Sequence, residues 1–148
     1  MNVYYSCERK RRLIAMRMTH EADYAIRVVY CLAEAGEKVS AKDISERTGV
    51  SLRFALKILR KLILAGIVKS YKGVSGGYAL QKPPSEISLG EIVECIDGPI
   101  MINHCLSNEF DCSRVDSKSD CGFRKIFVSI NRTIWQELHD AKIDRFIN

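Results

Sequence analysis

The 148-residue sequence is short of several features that would assign it elsewhere. Its longest uncharged apolar run, Leu62 to Val68, is seven residues, against the ~18 that suggest a membrane-spanning helix. The basic cluster Arg9, Lys10, Arg11 and Arg12 is followed only by the short apolar stretch Leu13 to Met16, too little for the hydrophobic region of a secretory signal. A cytosolic protein is expected. There is no HExxH, no phosphate-cradling GxxxxGKS/T and no nucleophile with an evident paired base, so the sequence does not read as an enzyme. Close C-x-x-C pairs, the usual knuckles of a zinc site, are also missing.

What is present is ordinary globular material. Hydrophobic residues make up 47% and charged residues 28%, which fits one domain and not a disordered tail. At this length roughly 70% of the unfolded surface is buried on folding, so a core forms without disulfides or metals as staples. Charge is unevenly placed. Arg53 to Lys82 holds seven basic residues (Arg53, Lys57, Arg60, Lys61, Lys69, Lys72, Lys82) and no acid, whereas Glu86 to Asp120 holds eight acids against Arg114 and Lys118. A stretch of purely positive charge attracts a polyanion by releasing its condensed counterions, and the acidic half repels it. On charge alone, a solvated helix face is the favoured reading.

Periodicity supplies the frame. The first fifteen residues show no sustained period and read as a mobile basic arm, with Met16 or Met18 an alternative start. After Thr19, a capping residue, Ala25, Val28, Val29 and Leu32 recur at helical spacing until Gly36. Ser40 and Asp43 open a short helix that stops at Thr48-Gly49. Ser51 is placed to cap a third helix to about Ala65, with Ala55, Ile58, Leu59 and Leu62 inward and Arg53, Lys57, Arg60 and Lys61 outward. Two helices joined by the tight turn Thr48-Gly49-Val50 form a helix-turn-helix, whose second helix enters a major groove. A strand from Ile67 to Tyr71, a glycine-rich turn and a strand from Tyr78 to Leu80 predict a hairpin wing.

Beyond Pro83-Pro84, Ser88 and Glu91 cap a helix to about Asp97. Residues 100–121 lack any period, a length of irregular chain uncommon unless it binds something. From Phe123 the apolar residues Phe127, Ile130, Ile134, Leu138 and Ala141 follow every three or four positions, predicting about 25 helical residues spanning roughly 37 Å. Such a helix is too long to cover only its own small domain, and it predicts a twofold homodimer; the alternative is a terminal helix folded over its own core. The expected fold class is mainly α with a small β-hairpin wing. It divides into a basic arm (1–15), a winged helix-turn-helix (16–82), a connecting helix (83–99), a cysteine-rich loop (100–121) and a dimerisation helix (122–148).

The six cysteines are Cys7, Cys31, Cys95, Cys105, Cys112 and Cys121, and in a reducing compartment they are thiols or metal ligands sooner than disulfides. Cys31 and Cys95 lie in apolar helical patterns, as small hydrophobes do, and Tyr24 and Trp135 beside apolar stripes read as packing residues. The last three cysteines are separated by six and eight residues on one irregular segment. Thiolates are soft ligands for iron–sulfur clusters, zinc or copper(I), and this wide spacing suits a loop wrapped around a cluster. Three incidental surface thiols are the other reading.

Asp23-Tyr24-Ala25, the Ser51–Leu62 helix, Gly66-Ile67-Val68-Lys69-Ser70, Gly73 with Gly76-Gly77-Tyr78, Ile87-Ser88-Leu89-Gly90-Glu91 and the three-cysteine loop together resemble the Rrf2 family of winged-helix regulators, from about Met16 to the end. This family includes the IscR-type and NsrR-type iron–sulfur proteins. The resemblance implies a homodimeric transcription factor, expected to act as a repressor, whose cluster reports iron–sulfur supply, redox state or nitric oxide. It implies Cys105, Cys112 and Cys121 as cluster ligands. The IscR-type pattern places a histidine three residues after the last cysteine, where this sequence has Arg124; the NsrR-type pattern places an aspartate before the helix-one tyrosine, supplied by the other subunit, and Asp23 stands there. Glu21, His20 and His104 are weaker candidates. A 2Fe–2S cluster is favoured over 4Fe–4S on the IscR-type comparison.

For double-stranded promoter DNA, Arg53 and Lys57 are the base-facing candidates, with Arg60 and Lys61 nearer the backbone and Lys72, Gly73, Ser75 and Gly76 on the wing. Two other readings stay open: a cluster-free member of the family controlled by thiol oxidation or a protein partner, and an iron–sulfur electron carrier, which leaves the basic wing unexplained.

Overall fold

The computed structural model describes residues 18–109, 112–114 and 118–147; the basic arm, with Cys7 and Arg9 to Arg12, lies outside the described residues. The helices are α1 (His20–Ala35), α2 (Ala41–Thr48), α3 (Leu52–Leu64), α4 (Leu89–Asp97) and α5 (Gly122–Asp140), and the strands are β1 (Val68–Tyr71) and β2 (Gly77–Leu80). The fold is mainly helical with one two-stranded antiparallel sheet, as the sequence predicts.

Local chemistry sets most boundaries. Thr19 Oγ1 accepts the Ala22 N–H at 3.1 Å and starts α1; Gly36, at φ 64°, ends it with its N–H on the Leu32 carbonyl. Ser40 caps α2 through the Asp43 N–H, and Gly49, at φ 68°, turns the chain toward α3. Ser51 occupies the cap position of α3 but makes no side-chain capping bond. Ser88 caps α4 through the Glu91 N–H at 3.1 Å, while the Glu91 carboxylate pairs with Lys82 at 2.6 Å and does not close the predicted box.

The apolar stripes meet in one core. Val28, Val29 and Leu32 of α1, Ile44 of α2, and Ile58, Leu59 and Leu62 of α3 are sealed with Ile67, Val68, Ile87, Ile92 and Ile143. Each such side chain contributes about 1.5–3 kcal/mol by leaving water. β1 pairs with β2 in the register Val68 opposite Leu80 and Tyr71 opposite Gly77. Val39 extends this sheet by exchanging two 2.9 Å backbone hydrogen bonds with Tyr78. A Cβ at Gly77 would lie 2.8 Å from the Val39 carbonyl oxygen, so glycine is what lets the two chains approach.

The C-terminal helix is shorter than its apolar repeat predicts. It has 19 residues, about 28 Å, and ends at Asp140 because Ile143 belongs to the core. The chain turns at Ala141, whose carbonyl accepts the Leu89 N–H at 3.0 Å, and the Ile143 N–H reaches the Ile87 carbonyl at 2.9 Å. None of the residues of α5 is buried. Phe123 and Ile126 are 59% and 60% exposed, and Val128, Ile130 and Trp135 also face solvent.

Candidate nucleic-acid interface and thiol segment

The α3 stripe Ala55, Ile58, Leu59 and Leu62 is fully buried, which turns the opposite face outward. Arg53, Lys57 and Arg60 stand there with Leu52 and Leu56 around a shallow hollow of about 590 Å³. The two leucines, 44% and 42% exposed, were missed by a reading that looked only for charge. Their signal was present: they fall off the inward stripe, on the turns that carry Arg53 and Arg60. Apolar side chains on a groove-entering helix can contact the thymine methyl.

The basic residues of this face are not equivalent. Glu21, in the first turn of α1, meets Lys61 Nζ at 2.7 Å and Lys57 Nζ at 3.0 Å. Lys61 foremost, then Lys57, holds the Glu21 carboxyl below its ordinary value against the opposing effect of partial burial. Among the described residues no ion pair engages Arg53, Arg60 or Lys72.

On the wing, Lys72, Gly73, Val74 and Ser75 are exposed. Gly73 takes φ 101° and its carbonyl accepts the Gly76 N–H at 2.9 Å. A Cβ at Gly76 would sit 2.5 Å from the Tyr71 carbonyl oxygen. The tight tip therefore depends on its glycines. The ammonium groups of Lys38 and Lys69 approach the Tyr71 ring at 5.8 and 5.7 Å, adding Lys38, unassigned by the sequence reading, to the positive surface of the wing.

Cys105, Cys112 and Cys121 are free, half-buried thiols. Cys105 lies in a 3₁₀ turn capped by Asn103, whose Oδ1 accepts the Cys105 N–H at 3.0 Å, and Cys121 sits at the N-terminal cap of α5. The segment is held by α5. Asn131 donates to the Ile100 carbonyl at 2.9 Å and accepts the Ile102 N–H at 3.0 Å. Arg124 Nε donates to the Cys105 carbonyl at 3.1 Å, so the residue at the IscR-type histidine position here fixes the backbone of a cysteine. Three free thiols match the donor chemistry of an iron–sulfur centre. Among the described residues, however, no group of three or more His, Cys, Asp or Glu side chains is gathered closely enough for a metal ion. Asp23 instead pairs with Arg27 at 2.9 Å within α1.

The other thiols differ. Burial pushes Cys31 up from the ordinary thiol value, partly offset by Arg47, and it does the same to Cys95, whose Sγ donates to the Lys61 carbonyl at 3.7 Å. Trp135 stacks on His139 at 3.9 Å, and both reach Glu94 of α4, joining α5 to the core.

Residues 18–148 match the family model Rrf2, described as an iron-dependent transcriptional regulator. The chain belongs to the Rrf2 family. It is 34% identical over 134 residues to protein aau3 of Rhizobium meliloti, covering 89% of this chain and 85% of that one. It is 32% identical over 137 residues to the transcriptional regulator IscR of Escherichia coli O1:K1, covering 90% and 75%. Among solved structures, CymR, titled the global cysteine regulator of B. subtilis, superposes with a TM-score of 0.71 at 21% identity, covering 88% of this chain and 95% of CymR. IscR of T. potens gives 0.66 at 23% identity, covering 88% and 85%. At these identities the structural likenesses establish the winged-helix fold. As an Rrf2 protein the chain is a DNA-binding transcriptional regulator and not an enzyme. Among the described residues no helix is long and apolar enough to cross a membrane.

Proposed function

We propose that this Rrf2 protein is a cytoplasmic homodimeric repressor that reports iron–sulfur status, redox state or nitric oxide through a cluster held by Cys105, Cys112 and Cys121. The fourth ligand is Asp23 of the other subunit, and the 2Fe–2S form is favoured. The observation that carries this reading is the set of three free thiols on one segment fastened to α5 by Arg124 and Asn131. The uncovered apolar face of α5 supports a second copy as its partner. Residues 16–82 read DNA, 83–99 connect, 100–121 sense and 122–148 dimerise.

When bound, a cluster supplies a redox- and nitric-oxide-sensitive centre whose lability is tuned by its surroundings. The chain's own residues convert that state into DNA affinity. Of the two base-facing candidates, Arg53 reads base edges from α3, while Lys57, paired with Glu21, joins Arg60 and Lys61 toward the backbone, and Lys72 with Gly73, Ser75 and Gly76 sets the wing on phosphate. A change in the 100–121 segment acts on α5 through Asn131 and Arg124, and on the spacing of the two recognition helices across the dimer.

The test is an anaerobic ultraviolet-visible spectrum of the purified full chain with iron and acid-labile sulfide counted. The expected result is a visible charge-transfer band with matched iron and sulfide that Cys112→Ala removes. Protein that stays colourless after anaerobic reconstitution overturns the cluster reading. It would favour the second reading, a regulator controlled by thiol oxidation or a protein partner. That alternative draws on the likeness to CymR, a cysteine regulator.

A further inference from the structure

Glu21 is the only acid among the described residues that pairs with side chains of α3, and it lies 36 and 40 positions away from the two lysines it holds. Its Oε1 is closed off from solvent and faces Lys61, which is 35% exposed; Lys57, on Oε2, is 54% exposed. The carboxylate thus sits between two ammonium groups, a pairing of the kind lysine also makes with phosphate oxygens. Lysine pairs with phosphate as a flexible point charge, and Lys57, the outer and freer of the two, is the one able to swing to a phosphate while Lys61 stays on Oε1.

We propose that Glu21 is an internal phosphate surrogate: a positioning residue that competes with the DNA backbone for Lys57 and so lowers the affinity and salt dependence of the DNA-binding face. The same helix turn is tied to the end of α4. The Thr19 N–H donates to Asp97 Oδ2 at 3.2 Å and the Thr19 hydroxyl donates to Asp97 Oδ1, at the last residue of α4 before Gly98-Pro99 leads into the cysteine segment. Asp97 is thus linked through the cap of α1 to the turn that carries Glu21. The inference rests on the reading of α3 as the DNA-facing helix.

The experiment measures binding of a short labelled duplex of mixed sequence to the full chain by fluorescence anisotropy across a salt series, for wild type, Glu21→Gln, Glu21→Asp and Arg53→Ala. Glu21→Gln is expected to bind about three- to tenfold more tightly at low salt, with the slope of log K against log salt steeper by about 0.9 for each bound subunit, one extra phosphate contact apiece. Glu21→Asp keeps the helix-favourable charge but is one methylene shorter, and is expected to fall between the two. A merely structural role for Glu21 would leave the slope unchanged. Unchanged or weaker binding by both Glu21 variants, with Arg53→Ala weakened, overturns the surrogate and leaves α3 as the reading helix. If Arg53→Ala also binds like wild type, the reading of α3 itself falls, and the surrogate with it.

Discussion

Residues 18–99 and the described residues after them are built on different terms. In the winged-helix half, α1, α2, α3 and α4 surround side chains such as Ile44, Ile58, Leu59 and Ile92 that are wholly withdrawn from water. In the other half, α5 has no buried residue, three thiols stand free on an irregular segment, and the contacts that order that segment come from Asn131, Arg124 and Lys118. The first half is sealed by its own helices and by Ile143 from the chain's last turn. The second carries apolar surface and reactive donors that its own chain does not cover, which is what a part completed by a partner copy and a ligand looks like.

Substitutions should divide along the same line. The largest effect is expected for Leu59→Ala, which leaves a cavity in the sealed core and should cost about 2–5 kcal/mol in urea unfolding of the whole protein. Gly77→Ala comes next: its new Cβ meets the Val39 carbonyl, and overpacking of this kind costs about 1–3 kcal/mol, seen as a lowered melting temperature with faster amide exchange at Val39 and Tyr78. Asn131→Ala removes two hydrogen bonds to the start of the thiol segment, worth about 1 kcal/mol each. It should sensitise residues 100–121 to limited proteolysis while the winged-helix half keeps its protection. Ile126→Ser should be smallest in stability, within about 0.5 kcal/mol for a solvent-facing site, yet it should convert a dimer to a monomer in analytical ultracentrifugation. A monomeric wild type at micromolar concentration would break the comparison at α5.

Thiol chemistry sharpens it further. Because burial raises the Cys31 and Cys95 thiols, less of each is thiolate at neutral pH, and thiolate is the species that alkylates. Iodoacetamide mapped by mass spectrometry should therefore label Cys105, Cys112 and Cys121 first; Cys31 and Cys95 should follow only as pH rises or the core opens.

The same division governs what could be read in advance. The helices of the first half declare themselves through neighbours: Thr19, Ser40 and Ser88 cap, Gly36 and Gly49 stop, and the buried stripes repeat at helical spacing, all information carried within a few residues. The wing's tip is legible for the same reason, since Gly73 and Gly76 are demanded by the backbone of the turn itself, whereas Gly77 answers to Val39, remote in sequence. The end of α5 was not legible, because the apolar repeat runs on to Ala141 while the break is imposed by Ile143 finding a place in a core made of residues far away in sequence. The Glu21 contact with Lys57 and Lys61 is equally remote. So is the use of Arg124, which the family pattern marks only as a missing histidine and the structure places on the Cys105 carbonyl. Leu52 and Leu56 were legible by position and passed over by residue type.

Hydrogen–deuterium exchange of the full chain, followed by mass spectrometry before and after anaerobic addition of iron and sulfide, tests the division most directly. The expected result is high, unchanged protection across α1 to α4, and a marked gain of protection across residues 100–121 and the N-terminal turns of α5 on reconstitution. Equal protection of that segment in both states, with the winged-helix half behaving no differently from it, would contradict the account of a sealed reading half joined to a sensing half completed from outside.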